Sequence, residues 1–306
     1  MLSVTFLGTS ASRPTVERGV AAIAVQREGE TLLFECGEGT QRQMMRYGAA
    51  FSLSEIFISH FHADHFLGVI GLVRTLGLQG RDEPLHLYGP KGAKKHLGAA
   101  VELGVERPPF DVEYHELKAG DVLKRDGYAI EAIGVEHGRG ALGYALREEQ
   151  RLGRFNPEKA AELGVPEGVL WGRLHRGETV ELEDGRKVGP EDIVGAPRPG
   201  RLLVYSGDTR PCETLVAAAE GADLLIHEAT FSQEEKERAA ETLHCTALEA
   251  GQVALAAGVR QLALTHLSAR FSGAPGILLD EAKEVFPETV VAKDGMTIEV
   301  GFADEG

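Results

Sequence analysis

Residues 58–68 read ISHFHADHFLG. His60, His62, Asp64 and His65 place four metal-binding side chains within six positions, directly after the apolar stretch SEIFISH at 54–60. Ordinary packing does not reward such crowding, because each of these groups is costly to bury without a partner. Imidazole and carboxylate are common protein ligands of zinc and related divalent ions. A turn here aims His60 and His62 at one ion, and Asp64 and His65 at a second. One loop cannot fill two coordination shells. The remaining ligands must come from distant parts of the chain, and the fold must bring those parts to one place.

Short apolar runs bounded by glycine or charge predict strands at 3–7, 21–25, 31–35, 54–60, 85–89, 113–117, 128–138, 202–206, 222–230 and 261–268, with the last strands in TVVAK and MTIEV. FLGVIGLVRTLGL (66–78) carries apolar residues at helical spacing, and TALEAGQVALAAGV (246–259) predicts an Ala-rich helix opened by Thr246. Polar residues recur just past strand ends: Ser59–His65, His137, Asp208, His227–Glu228 and His266. Ligands of α/β proteins gather at such ends. His137, Asp208 and His266 are therefore the expected additional ligands, and a carboxylate at 208 can bridge two cations with its two oxygens. His86, His96, His115 and His175 fall mid-strand, in a helix or in a charged stretch, and are read as structural residues. LLFECGEGTQ (32–41) and LLVYSGDTRP (202–211) share strand–Gly–acid–Thr, which predicts a two-fold repeat of a β-rich half.

A length of 306 residues suits one large α/β domain or two smaller ones. Hydrophobic residues make up 43% and aromatics only 6%, so the core should be mostly Val, Leu, Ile and Ala. No apolar run approaches the roughly 20 residues of a membrane helix, and MLSVTFLGTS does not read as a signal peptide. Cys36, Cys212 and Cys245 form no C-x-x-C and predict buried spectators in a reducing, cytoplasmic compartment.

The net charge of −15 opposes nucleic-acid binding by the molecule as a whole. Binding depends on the local field, however, and bound cations add positive charge where acids cluster. Residues 147–200 depart from the general acidity. From 147 to 176, six basic residues (Arg147, Arg151, Arg154, Lys159, Arg173, Arg176) face five acidic ones (Glu148, Glu149, Glu158, Glu162, Glu167). This stretch reads either as a solvated helical insertion or as a projecting arm that touches a polyanion.

H-x-H-x-D-H after a strand, followed by a distant His, an Asp and a last His, resembles the metallo-β-lactamase superfamily. FLGTSASRPT (6–15), LLFECGEGTQRQM (32–44), SHFHADHFLG (59–68), VEHGRGALGY (135–144), LGVPEG with LEDGRKVGPED, VYSGDTR (204–210), HEATF (227–231), HCTA (244–247) and LTHLSARF (264–271) narrow the resemblance to the ribonuclease Z family. These stretches span nearly the whole chain in the family's order.

The resemblance implies an α/β fold: a four-layer αβ/βα sandwich with two mixed β-sheets. It implies one domain, 1–306, with a flexible exosite arm inserted at about 147–187. It also implies two Zn2+ per subunit, with Mn2+ or another divalent ion as the alternative. His60, His62 and His137 would hold one ion, Asp64, His65 and His266 the other, and Asp208 would bridge. The implied activity is that of an endoribonuclease that removes 3′ trailers from precursor tRNA through metal-activated hydroxide. It would leave a 3′-OH on the tRNA and a 5′-phosphate on the trailer. Asp64 would accept the proton, Glu228 would orient His244 as proton donor, and Arg270 would hold a substrate phosphate. A homodimer would grip the tRNA elbow with the arm of one subunit and cut in the other.

Read without the family, Glu228 is a cap or surface carboxylate, His244 caps the helix after Thr246, and Arg270 makes a surface ion pair. Three positions depart from the family pattern, none of them a presumed ligand: Glu35 for a usual Asp, Gly19 for Asn, and Val169 for a Gly-Pro pair. Glu35 is expected to brace the metal loop. Two other functions compete. A glyoxalase-II-like thioester or lactone hydrolase accounts for the ligands and the acidity, but not for the arm or for HEATF with His244. A catalytically inactive RNA-binding module conflicts with an intact ligand set.

Overall fold

The computed structural model describes residues 1–105 and 107–303. Two seven-stranded sheets face each other. The first runs, in spatial order, Thr297–Glu299, Leu2–Gly8, Ala22–Arg27, Glu30–Phe34, Leu53–Phe57, Leu85–Pro90 and Val112–Leu117. The second runs Thr289–Val291, Leu262–Thr265, Leu224–Glu228, Leu202–Tyr205, Leu142–Glu148, Tyr128–Gly134 and Val122–Arg125. In each sheet the fourth strand switches the pairing. Glu30–Phe34 is antiparallel to one neighbour and parallel to Leu53–Phe57; Leu202–Tyr205 is antiparallel to Leu142–Glu148 and parallel to Leu224–Glu228. These two switch strands carry the repeated LLFECGEGTQ and LLVYSGDTRP motifs, so the echo marks equivalent places in the two halves.

Strand alternation explains the layers. Leu2, Val4 and Phe6 point between the sheets, where they meet Phe34, Phe57, Ile130, Tyr144, Tyr205 and Ile226. Leu7, Ala24 and Leu33 point the other way, under helices Thr40–Tyr47, Val69–Leu78 and Ala93–Glu102. Leu225, Leu262 and Leu264 likewise face helices Glu213–Ala218, Ala247–Ala257 and Gly276–Lys283. The result is a four-layer αββα sandwich whose central strands are buried on both faces and read as near-continuous apolar runs. Thr246 caps Ala247–Ala257, as its sequence predicts, and the structure adds a reciprocal box with Glu249.

Two strands of the seven-stranded sheets escape sequence reading, as do the two-residue strands Ser10–Ala11, Val180–Glu181 and Lys187–Val188. Leu142–Glu148 ends in charges, but Glu148 is buried against Arg201 (2.7 Å) and Arg27 (2.9 Å), which compensates the charge. Val122–Arg125 is an edge strand too exposed to show an apolar run. Conversely, the strands expected at 54–60 and 128–138 stop at Phe57 and Gly134, which releases His60 and His137 into loops.

The segment after Leu142–Glu148 leaves the sheet and returns through bridges Arg151↔Arg198 and Phe155↔Val194. Between them, helices Pro157–Glu162 and Val169–His175 and the hairpin Val180–Glu181/Lys187–Val188 enclose a small core of Ala160, Val165, Leu174, Val180, Val188 and Ile193. Val169 opens its helix exposed to solvent. Among the described residues, no helix is long and apolar enough to cross a membrane.

Candidate metal centre

The loop after Leu53–Phe57 carries His60 and His62, and the short helix Ala63–Phe66 carries Asp64 and His65. It lies directly on the loop 35–37: the Cys36 amide donates to the His65 carbonyl (2.7 Å), and the Gly68 amide to the Cys36 carbonyl (2.8 Å). A Cβ on Gly37 would stand 2.3 Å from the Asp64 carbonyl, so the glycine at 37 is a backbone requirement of the metal loop.

The structure brings together all seven ligands expected from sequence. In one set, His60 Nε2 lies 2.8 Å from His62 Nδ1, and His137 Nε2 lies 3.3 Å from the same atom. Asp208 Oδ2 stands 3.7 Å from His60 Nε2 and 3.9 Å from His137 Nε2. In the other set, Asp64 Oδ2 lies 3.3 Å from His266 Nε2 and 3.6 Å from His65 Nε2. Asp208 Oδ2 also reaches His65 Nε2 at 3.2 Å, so one oxygen touches both sets. Ligand bonds of about 2.0–2.1 Å in a tetrahedron put donor atoms about 3.3 Å apart. The observed separations bracket that value, and the donor set fits two divalent cations.

Protonation agrees. Burial, then the neighbouring His65, holds His60 well below the usual imidazole value; burial and His137 lower His62. Burial acts to raise Asp208 and Asp64. For Asp208, His266 and His65 outweigh it; for Asp64, the hydrogen bond with His266 and the charge of His65 do so, and both carboxyls stay well below their usual range. Neutral imidazoles and ionised carboxylates are the ligand-ready forms. Burial acts to lower His65, but Asp208 and Glu35 on either side push it well up, and a cation would compete with that proton.

A second layer aims these rings. His137 Nδ1 donates to the Leu243 carbonyl (2.9 Å), which turns Nε2 inward. Glu35, at φ 61°, accepts from the Ser59 amide (3.1 Å) and the Tyr205 hydroxyl (3.2 Å), with His65 Nδ1 3.2 Å away. The expected bracing by Glu35 is thus visible as contacts. Thr230 Oγ1 lies 3.0 Å from His266 Nδ1. The Ser12 amide donates to Asp64 Oδ2 (2.7 Å). Sequence reading left Ser12, Thr230 and Leu243 unassigned. Ser12 and Thr230 lie in motifs it singled out, but a backbone carbonyl such as that of Leu243 has no sequence signal at all.

Beside the centre, His244 Nδ1 donates to Glu228 Oε1 (2.7 Å). Glu228 is fully buried and also accepts from the Thr209 amide (2.9 Å) and the Thr230 hydroxyl (2.7 Å). Burial acts to lower His244, but the Glu228 carboxylate pushes it up to about 9. The donor atoms of His244, Asp208 and His266 lie within 4.8 Å of one another. Arg270 stands apart: it pairs with Glu235 and lies 3.2 Å from Ser268 Oγ. Cys36, Cys212 and Cys245 are buried and free.

The family model for the metallo-beta-lactamase superfamily matches residues 15–148. A ribonuclease Z of Myxococcus xanthus is 58% identical over 305 residues, covering 99% of both chains. A ribonuclease Z of Haloferax volcanii is 52% identical, covering 99% of this chain and 96% of its own length. The crystal structure of the short form of human tRNase Z superposes with a TM-score of 0.72 at 26% identity, covering 98% of this chain and 100% of that one.

Proposed function

The chain belongs to the ribonuclease Z family, and on that premise we propose that it is a tRNA 3′-processing endoribonuclease that hydrolyses a phosphodiester to a 3′-OH tRNA and a 5′-phosphorylated trailer. One observation carries the reading: a single buried oxygen of Asp208 touches both ligand sets, with a Glu228–His244 pair alongside. Zinc is the proposed metal, two ions per subunit, with Mn2+ or another divalent ion as the alternative. When bound, such a pair lowers the pKa of water and offsets negative charge on a phosphate under attack.

The chain's own groups divide the remaining work. Asp64 is the proposed proton acceptor, held ionised and positioned by the Ser12 amide and His266. His244 is the proposed donor to the departing 3′ oxygen. Glu228 takes its Nδ1 proton in a hydrogen bond, which leaves Nε2 to act, and keeps the ring charged at neutral pH. Because neither step uses the RNA's 2′-OH, small aryl phosphodiesters are expected substrates as well. The segment of about 147–187 is the proposed arm for the tRNA elbow, on a single domain 1–306. Its own small core supports a separate role, and so does its near-neutral charge in an acidic chain. Arg270 is proposed to hold a substrate phosphate by exchanging Glu235 for it. A homodimer and a cytoplasmic location complete the reading.

The test is cleavage of a 3′-extended tRNA transcript by wild type and Asp64→Ala, with both new ends mapped. Wild type should cut at the tRNA 3′ end and the variant should not. Cleavage by both, or by neither in the presence of zinc, overturns the assignment. Turnover of S-lactoylglutathione in place of bis(p-nitrophenyl) phosphate would instead favour a thioester hydrolase. Less than one metal ion per purified chain would favour a binding module.

A further inference from the structure

We propose that His86, Glu113 and His115 form a further divalent-cation site, separate from the catalytic centre and independent of the reading above. Nothing in the linear spacing joins these residues, since the two histidines lie mid-strand. The parallel register joins them. His86 pairs with Glu113, and Tyr88 with His115, across Leu85–Pro90 and the edge strand Val112–Leu117. All four therefore project from one face of the sheet. His86 and Glu113 sit near the N-terminal ends of their strands, whereas the catalytic loop follows a C-terminal end.

The donor geometry is that of a metal site. His86 Nδ1 lies 3.1 Å from His115 Nε2 and 3.4 Å from a Glu113 carboxylate oxygen; His115 Nε2 lies 3.7 Å from that same oxygen. These separations bracket the edge of about 3.3 Å expected for a tetrahedral ion with bonds of about 2.0–2.1 Å. Three donors thus occupy one face of a tetrahedron. At 3.1 Å the two facing imidazole nitrogens share one proton; moving it to the other nitrogen of its ring turns both lone pairs toward a cation.

The site is built rather than accidental. His115 stacks on Tyr88 (centroids 4.6 Å apart, 20°), and Tyr88 stacks on the buried Phe57 (4.7 Å, 10°), so one imidazole is held by the core. Glu55 stands next to His86 in register; it binds Arg125 and the Tyr88 hydroxyl, yet its Oε2 is buried with no hydrogen-bond partner among the described residues. Burial, then the neighbouring His86, keeps His115 below the usual imidazole value, which favours the metal-binding form. Side-chain exposures of 31%, 50% and 36% for His86, Glu113 and His115 let an ion enter from solvent.

Two nitrogens and one carboxylate select borderline ions such as Zn2+, Ni2+ or Cu2+ over Mg2+ or Ca2+. The ion would tie the outermost strand of the first sheet to its neighbour. An edge strand is held by backbone pairing on one side only, so such a tie acts where it is weakest.

Chelator-stripped protein is equilibrated by dialysis against buffered Zn2+ and its metal content measured, with wild type compared to His86→Ala/His115→Ala and to Asp208→Ala. Wild type should bind one ion more than the double-histidine variant, with a Kd of about 10 µM or tighter. A saturating concentration should raise the wild-type Tm by roughly 2–5 °C more than that of the variant. Asp208→Ala should keep the peripheral ion while losing catalytic-centre metal, which separates failure of this site from failure of the centre. The double-histidine variant should retain full cleavage of bis(p-nitrophenyl) phosphate. If that variant does not fold, His115→Gln and Glu113→Gln, both on partly exposed side chains, should each weaken the extra ion at least about tenfold. Equal metal content in wild type and variant, binding weaker than about 100 µM, or equal competition by Mg2+ overturns the proposal.

Discussion

Glu228→Gln isolates the one interaction that sets the protonation of His244. The carboxylate sits 2.7 Å from His244 Nδ1 in a buried site and pushes the imidazole up to about 9, against an opposing effect of burial. The amide keeps the volume but not the charge. With its nitrogen turned to His244, the neutral ring can accept at Nδ1, while the carbonyl still accepts from the Thr230 hydroxyl. Only the bond from the Thr209 amide is lost, which costs about 1–3 kcal/mol of stability. Without that carboxylate, burial and the nearby His65 bring His244 back to about the ordinary value of 6.5, against the remaining pull of Asp208. At about pH 7.5 it drops from almost fully protonated to roughly one-tenth protonated.

If His244 delivers the leaving-group proton, the single-turnover rate falls roughly tenfold or more at about pH 7.5 and much less at about pH 6. The alkaline limb of the rate profile moves down by about two and a half pH units. The same shift is a stability statement. A histidine with a raised folded value stabilises fully below about pH 6.5 and loses that contribution as pH rises through about 9, worth roughly 3 kcal/mol in all. Rates of trailer release measured from about pH 5.5 to 9.5 on both proteins, with His244→Ala as the flat control, decide the matter. An alkaline limb that stays in place, or a loss equal at every pH, refutes the role of Glu228 and His244.

Asp208→Ala removes the oxygen shared by both ligand sets; catalytic-centre metal should fall from two ions to one or none, and phosphodiesterase activity should fall at least about a thousandfold, as metal analysis beside kcat would register. Because Arg151 and Arg198 bridge the base of the arm, replacing 152–197 with a short linker should leave bis(p-nitrophenyl) phosphate turnover within about twofold yet lower kcat/KM on precursor tRNA at least about tenfold. Phe34→Ala empties a fully buried site packed on Phe57, Tyr144 and Tyr205, and chemical denaturation should show a loss of about 3–5 kcal/mol.

Much of the candidate centre was legible in the chain because its chemistry is local or punctuates strands. Four donors in six positions announce themselves. Asp208 and His266 each close an apolar run, and strand ends are where loops are free to carry ligands. Strands Leu202–Tyr205 and Leu262–Thr265 are readable for the same reason, since a strand buried on both faces must be apolar throughout; the expected continuation to 268 breaks at His266, where φ is 53°. Leu142–Glu148 hid because its terminal Glu148 is compensated by Arg201 and Arg27, residues 53 and 121 positions away.

What only the tertiary structure decided are the lateral relations. It set which oxygen of Asp208 touches both ligand sets, that a Leu243 carbonyl aims His137, that Glu35 lies between Ser59, His65 and Tyr205, and that Arg270 pairs with Glu235. It also set the approach of His86 to Glu113 and His115 through a parallel strand register. Periodicity tells a residue which face it occupies, but the neighbour across that face is chosen by sheet order and register. Those are settled by packing the whole chain at once.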